Sequence, residues 1–183
     1  MGTKEPAYET ETLIVERDAL REIVLPKLLG TIFHVTSSQG FEGIKASGAI
    51  GSNRKGELPS TFPQSANGYG RRRGYVCLFD LREVTDEQLN HALEGFYFLD
   101  PFGSKDDPVF LLLSPAEYGE VIHWSATNGD YTEMWMPYVE AWYPRDLPLA
   151  AINQAVVVEV KRPPPSLWEL ALDEANRKRN EHR

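Results

Sequence analysis

His34 and Thr36 stand two residues apart in Thr31-Ile32-Phe33-His34-Val35-Thr36, a run rich in β-branched and aromatic side chains. Such a run predicts a strand, and strand alternation puts residues two apart on one face. An imidazole and a hydroxyl side by side at a strand end can hydrogen-bond a ribose and a carboxamide. A histidine buried for purely structural reasons fits the same pattern. Glu140 lies in Val139-Glu140-Ala141-Trp142-Tyr143, between apolar neighbours where a solvated acid is not expected. Arg54 and the run Arg71-Arg72-Arg73 could bind a diphosphate or a phosphate backbone, or simply be solvated. Phe62 and Tyr69, in the same stretch, could stack on bases.

The remaining chemistry-bearing residues point to less. Glu120-x-x-His123 has the spacing of a metal pair, yet His91 and His182 offer no partner spacing, so no metal is expected. Cys77 is the only cysteine, so no internal disulfide can form. In apolar Tyr75-Val76-Cys77-Leu78-Phe79 it reads as an inert core residue rather than a nucleophile. The tryptophans read as core.

These residues need a framework, and the composition can supply one. The chain has 183 residues, of which 42% are hydrophobic and 25% charged. That supports one core and excludes collagen-like, low-complexity or wholly disordered classes. Nineteen Lys and Arg against 27 Asp and Glu give a net charge of −8, which argues against indiscriminate nucleic-acid binding. The charge is polarised: Asp80 to Glu120 carries ten acids and two bases, whereas Arg54 to Arg73 carries five bases and one acid. No apolar run approaches the roughly 20 residues of a membrane span. The polar N-terminal Met-Gly-Thr-Lys-Glu-Pro lacks the apolar stretch of a signal peptide, so the expected compartment is cytoplasmic, without a membrane partner.

Residues 1–12 show no pattern and are expected to form a flexible tail ahead of a single domain, 13–183. Leu20, Ile23, Val24 and Leu28 recur at helical spacing, with Pro26 complicating the end. After the 31–36 strand, Ser37 or Ser38 can cap a short helix carrying Phe41 and Ile44 and ending at Gly48. Residues 51–73 have no periodicity and predict a long loop, a length usually tied to function or disorder. A strand follows at Tyr75–Phe79. Thr85 and Gln88 form a capping-box pattern for a helix ending near Gly95. Val109–Leu113 predicts a buried strand, Val139–Tyr143 an alternating one, Pro148–Ile152 a helical turn, and Ala155–Val160 the last strand. Ser166 and Glu169 open a C-terminal helix over 166–182. Strands and short helices alternate without the rhythm of a doubly wound sheet, and Gly-rich phosphate fingerprints are absent, so the class is α+β.

The stretch from His34 to Ile50 resembles the first conserved block of the ADP-ribosyltransferase superfamily. There a strand bearing His-x-Thr or His-Gly-Ser runs into a short helix ending Ile-x-x-x-Gly-(Leu/Ile), matched here by His34-x-Thr36, Ile44, Gly48 and Ile50. Val35 departs from the His-Gly-Ser form and is more similar to DarT-type DNA ADP-ribosyltransferases and other toxin-like members. The RNA 2′-phosphotransferases are related in the same way. The resemblance spans roughly Thr31 to Val160 in three short blocks. It implies an ADP-ribosyltransferase-like split β-sheet core with short flanking helices, in which His34 and Thr36 hold the ribose and amide of NAD. It implies a second block at Gly74–Phe79, with Tyr75 stacked on nicotinamide. A third block carries the catalytic acid, Glu140, with Glu133 as the competing candidate. Arg54 would contribute to catalysis. The activity implied is NAD-dependent ADP-ribosyl transfer to a macromolecular acceptor, DNA or RNA held by Arg71, Arg72 and Arg73. A toxin or defence effector with an antitoxin protein as partner fits that group. The alternatives are an RNA 2′-phosphotransferase-like enzyme and a non-catalytic nucleotide-binding or interaction module.

Overall fold

Most of the apolar runs meet in one sheet. The computed structural model describes residues 8–58, 68–103, 106–127 and 136–161. In chain order these form β1 (Glu9–Glu16), α1 (Leu20–Ile23), α2 (Leu25–Leu28), β2 (Ile32–Ser37), α3 (Ser38–Ser47), β3 (Ala49–Ile50), α4 (Tyr69–Arg73), β4 (Val76–Asp80), α5 (Asp86–Phe96), β5 (Pro108–Leu113), β6 (Ile122–His123), β7 (Glu140–Tyr143), β8 (Leu147–Pro148) and β9 (Ile152–Lys161). Short 3-10 turns fill several junctions. Seven strands make one sheet in the order β1-β9-β5-β2-β4-β7-β6, and β3 pairs with β8 in a second. β1 runs parallel to β9; the other pairings are antiparallel. The architecture is mixed α+β, as the alternation predicted. No helix among the described residues is long and apolar enough to cross a membrane.

Both faces of the sheet are covered. Phe33, Val35, Phe79, Phe110, Leu112 and Val156 bury one face against Leu20, Val24, Leu28, Leu89 and Ala92. Phe33 stacks on Phe79 at 5.4 Å and meets Phe110 edge-on at 5.8 Å, the offset and T-shaped contacts that ring quadrupoles favour. Each such ring removed from water contributes about 1.5–3 kcal/mol. On the other face Ile32, Leu78, Leu111 and Ala155 pack with Phe41, Ile44 and Leu147.

Local signals set the helix ends as expected. Ser37 Oγ accepts from the Gly40 N–H at 3.0 Å to start α3, and Gly48 ends it in the left-handed region at φ 76°. Thr85 and Gln88 form the reciprocal capping box of α5.

Three expectations change. The tail predicted over residues 1–12 gives way to β1 from Glu9, because Glu9–Glu16 pairs along its whole length with β9. Its own pattern is weak, with only Leu13 and Val15 turned to the core, so long-range pairing decides its state. The end of the predicted 51–73 loop is the helical turn α4. β7 does not alternate: all four residues are buried, since both its faces are covered. Residues 1–7, Phe62, Glu133, Trp135 and the predicted 166–182 helix lie outside the described residues.

Candidate functional site

β2 and β4 pair at two positions, Ile32↔Asp80 and Phe33↔Phe79. Beyond them β2 stays paired with β5 as far as Ser37, and β4 stays paired with β7 back to Val76. The two strands therefore part after Phe33, and the sheet forks. A cavity of about 710 Å³ lies there, lined by residues of both prongs, among them His34, Thr36, Arg71, Tyr75, Cys77 and Glu140. That volume is in the range of small-molecule sites.

The fork explains how these residues meet. By alternation His34 and Thr36 share the face of Ile32, whereas Glu140 lies opposite Phe79 and shares the other face. A continuous sheet would separate them. Where the strands part, side chains from both faces line one space.

His34 bridges the gap: its Nδ1 lies 2.9 Å from the Cys77 carbonyl oxygen. A carbonyl can only accept, so Nδ1 carries the proton and donates. Burial lowers the His34 pKa, with the bond to Cys77 opposing in smaller measure. The ring is thus neutral at pH 7, and its Nε2 offers a lone pair. Thr36 is buried, and its Oγ1 lies against Gly40 of α3, where any β-carbon would overlap it. Glycine at position 40 makes room for the hydroxyl beside the cavity.

Glu140 is 5% exposed and fixed at both oxygens. The Met136 N–H donates to Oε2 at 3.1 Å, and the Trp142 Nε1–H donates to Oε1 at 3.0 Å. The Glu140 N–H in turn donates to the Met136 carbonyl at 3.2 Å, closing a five-residue turn in which Tyr138 takes φ 71°. A carboxylate so held is pre-oriented before any ligand arrives. Its charge reaches Cys77, whose thiol is pushed up to about 12, first by burial and then by Glu140, with Arg71 pulling the other way. Cys77 is therefore a thiol, not a thiolate, at neutral pH, but it is half-buried and lines the cavity rather than lying in the core as expected.

Tyr75 follows α4, donates its N–H to the Gly70 carbonyl at 2.8 Å, and lines the cavity. The arginine run divides. Arg71 lines the cavity, while Arg72 and Arg73 are exposed, Arg73 lying 3.6 Å over the Tyr69 ring. Arg54 is exposed and is not among the cavity-lining residues; its aliphatic stem packs against Gly74. Among the described residues Arg71 is the cation that lines the cavity, and Arg54, the arginine the resemblance implies for catalysis, lies outside that lining.

Several contributors were missed. Trp142, taken only as core, donates to Glu140. Gly70 lies against its indole edge. Asn53 makes two hydrogen bonds with Leu58, from Nδ2 to the carbonyl at 2.8 Å and from the Leu58 N–H to Oδ1 at 2.9 Å. Asp146 accepts from the Ser52 N–H at 2.8 Å. Together these hold residues 52–58 beside the cavity. Asn ahead of a glycine, as in Asn53…Gly56, is a turn signal that could have indicated order inside the predicted loop. Among the described residues no group of three or more His, Cys, Asp or Glu could hold a metal.

No protein-family model matches the chain, and no curated protein or solved structure does either.

Proposed function

We propose that the chain is an NAD-dependent ADP-ribosyltransferase with an ADP-ribosyltransferase-like split sheet, and that the forked cavity takes NAD. One observation carries the reading: His34, Thr36, Tyr75 and Glu140, spread over more than a hundred residues of sequence, line a single cavity. They are the residues that the resemblance pairs with NAD.

The chemistry follows from their types. Breaking the nicotinamide–ribose bond leaves positive charge at the anomeric carbon, and a fixed carboxylate beside it stabilises that charge. Glu140 is such a group. The neutral His34 Nε2 can accept from a ribose hydroxyl, Thr36 can bond the amide, and Tyr75 can stack on the ring. Arg71 suits the diphosphate. Nicotinamide leaves with the bonding electrons, the acceptor's nucleophile bonds to the anomeric carbon, and the nucleophile's proton passes to Glu140 or water.

Arg71 is the one cationic side chain lining the cavity among the described residues, which favours this reading over RNA 2′-phosphotransfer, a reaction that would use several. The exposed Arg72 and Arg73 suit a polyanionic acceptor, DNA or RNA, approaching α4. A toxin or defence effector with an antitoxin partner is the setting in which such transfer fits.

The test is transfer from labelled NAD to oligonucleotides or lysate proteins, with Glu140→Gln alongside. Label transfer should fall at least about a hundred-fold in the variant, the scale of losing one preorganised electrostatic group. Equal transfer by both would remove Glu140 from the role, and failure of the wild-type chain to bind NAD would end the reading.

A further inference from the structure

Gly70 of α4 lies against Trp142. A β-carbon there would overlap Trp142 Cδ1 and stand 2.6 Å from Nε1, the nitrogen that holds Glu140. The neighbouring Tyr69 ring packs on the same indole at 4.4 Å, and the Arg73 guanidinium covers Tyr69 at 3.6 Å. Trp142 is completely buried and stands opposite Cys77 in the β4–β7 ladder, so strand pairing and α4 both restrict its motion. Its Nε1–H is a donor only, and at 3.0 Å that donor is committed to Glu140 Oε1.

We propose that Trp142 and Gly70 are positioning residues: Gly70 lets α4 press on the indole edge, and the indole N–H fixes the Glu140 carboxylate for reaction. The inference rests on the reading that Glu140 acts within the cavity. It also gives α4 two roles, since Arg71 on the same turn lines that cavity. A ligand that draws on Arg71, or an acceptor that lifts Arg73 from Tyr69, would therefore bear on the carboxylate through the indole. Fixing a group by a locked neighbour is what keeps a reactive constellation at its working geometry.

Two readouts test it on the full chain. The first needs no substrate. In the proton–nitrogen spectrum the assigned Trp142 indole resonance should be protected from solvent exchange in the wild type. Glu140→Ala should shift it upfield and speed its exchange. The second is turnover. Trp142→Phe keeps a ring but loses the N–H; kcat should fall about ten- to a hundred-fold, the range for a hydrogen bond to a charged group. KM for NAD should stay within about two-fold, since the bond acts on the carboxylate rather than on ligand binding. Gly70→Ala, which displaces the indole without removing it, should lower kcat in the same direction.

An indole resonance that ignores Glu140→Ala overturns the inference, whatever the variants do. So does a responsive resonance combined with unchanged kcat in both variants. If the wild type does not turn over NAD, the functional reading fails, and the indole spectrum alone still decides whether Trp142 holds the carboxylate. Should Trp142→Phe fail to fold, Gly70→Ala and the wild-type spectrum carry the test.

Discussion

Asp80 and Glu140 are buried to nearly the same degree, 6% and 5% exposed, and both stand beside the β2–β4 fork. Asp80 is at the closed end, paired with Ile32. Glu140 is one strand further out, opposite Phe79, where the sheet opens. Their partners differ. Asp80 is gripped by Arg82, with Nε to Oδ1 at 3.0 Å, Nη2 to Oδ2 at 2.7 Å, and the Arg82 N–H to Oδ1 at 3.1 Å. Glu140 is held by a backbone N–H and an indole N–H. Burial alone does not separate an acid paired with a cation from one that lines a cavity. A guanidinium in two-pronged contact uses both oxygens and neutralises the charge; the backbone and indole N–H groups orient Glu140 and bring no formal charge of their own.

The largest expected effect breaks that pair apart. Glu140→Gln should remove label transfer, at least about a hundred-fold, while leaving the fold cooperative. Arg82→Ala should do the reverse. It leaves Asp80 buried without its cation, a situation that costs about 2–4 kcal/mol. Urea unfolding should show that loss, with activity per folded molecule retained. Asp80→Asn should cost less, because Arg82 is partly exposed and water can replace its partner. A stable Arg82→Ala protein without activity would mean that the two acids have been assigned the wrong way round.

The sequence carried these two acids unequally. Glu140 stood out because its neighbours are apolar. Asp80 did not: it entered only as one of the ten acids between Asp80 and Glu120. The strands around Phe33, Phe79, Phe110 and Val156 were legible because apolar and β-branched runs are local signals, and so were the caps at Ser37 and Thr85. The fork was not legible in the local pattern, because where the ladder stops depends on contacts between β2 and β4, distant in the chain; only the resemblance implied a split sheet. Of β1 only Leu13-Ile14-Val15 carries a local signal, readable as a short strand or as the lead-in to a helix, and pairing with β9 decides it. Dividing Arg71 from Arg72 and Arg73 required knowing that α4 is helical, since successive residues on a helix point in different directions.

His34, on the opposite wall of the fork, sharpens the comparison with a group whose neutral form is the useful one. Burial lowers its pKa below the ordinary 6.5. As pH falls through 6.5 the unfolded chain takes up a proton that the folded chain resists, so the native state loses stability. The loss stops growing once pH passes the lowered folded value. Across that window the slope from this group is at most about 1.4 kcal/mol per pH unit. His34→Gln should lack this contribution, so urea midpoints at pH 7.5 and 5.5 should lie closer together than in the wild type. The same variant should raise KM for NAD, as an amide reproduces the imidazole acceptor poorly. Parallel pH profiles for both proteins would mean that His34 is not held neutral by the fold.

The smallest effect asks whether the Glu140 charge is felt inside the cavity, with Cys77 as the reporter. Its thiol is pushed up to about 12, with Glu140 the second cause after burial and Arg71 opposing. Removing the negative charge by Glu140→Gln should lower the thiol's pKa and so increase the thiolate present at pH 8. A shift of half a unit is about three-fold in the thiolate fraction, which iodoacetamide alkylation under native conditions can resolve. Arg71→Gln should slow the reaction, because the opposing charge is lost. Asp80→Asn should leave the rate alone, since Asp80 is not among the charges acting on Cys77. If the Asp80 and Glu140 variants alkylate at equal rates, the contrast between the two acids does not extend to the field they make, and Glu140 has no special hold on the cavity. If only the Glu140 variant reacts faster, the charge that would stabilise an oxocarbenium-like centre is present in the cavity before any ligand binds.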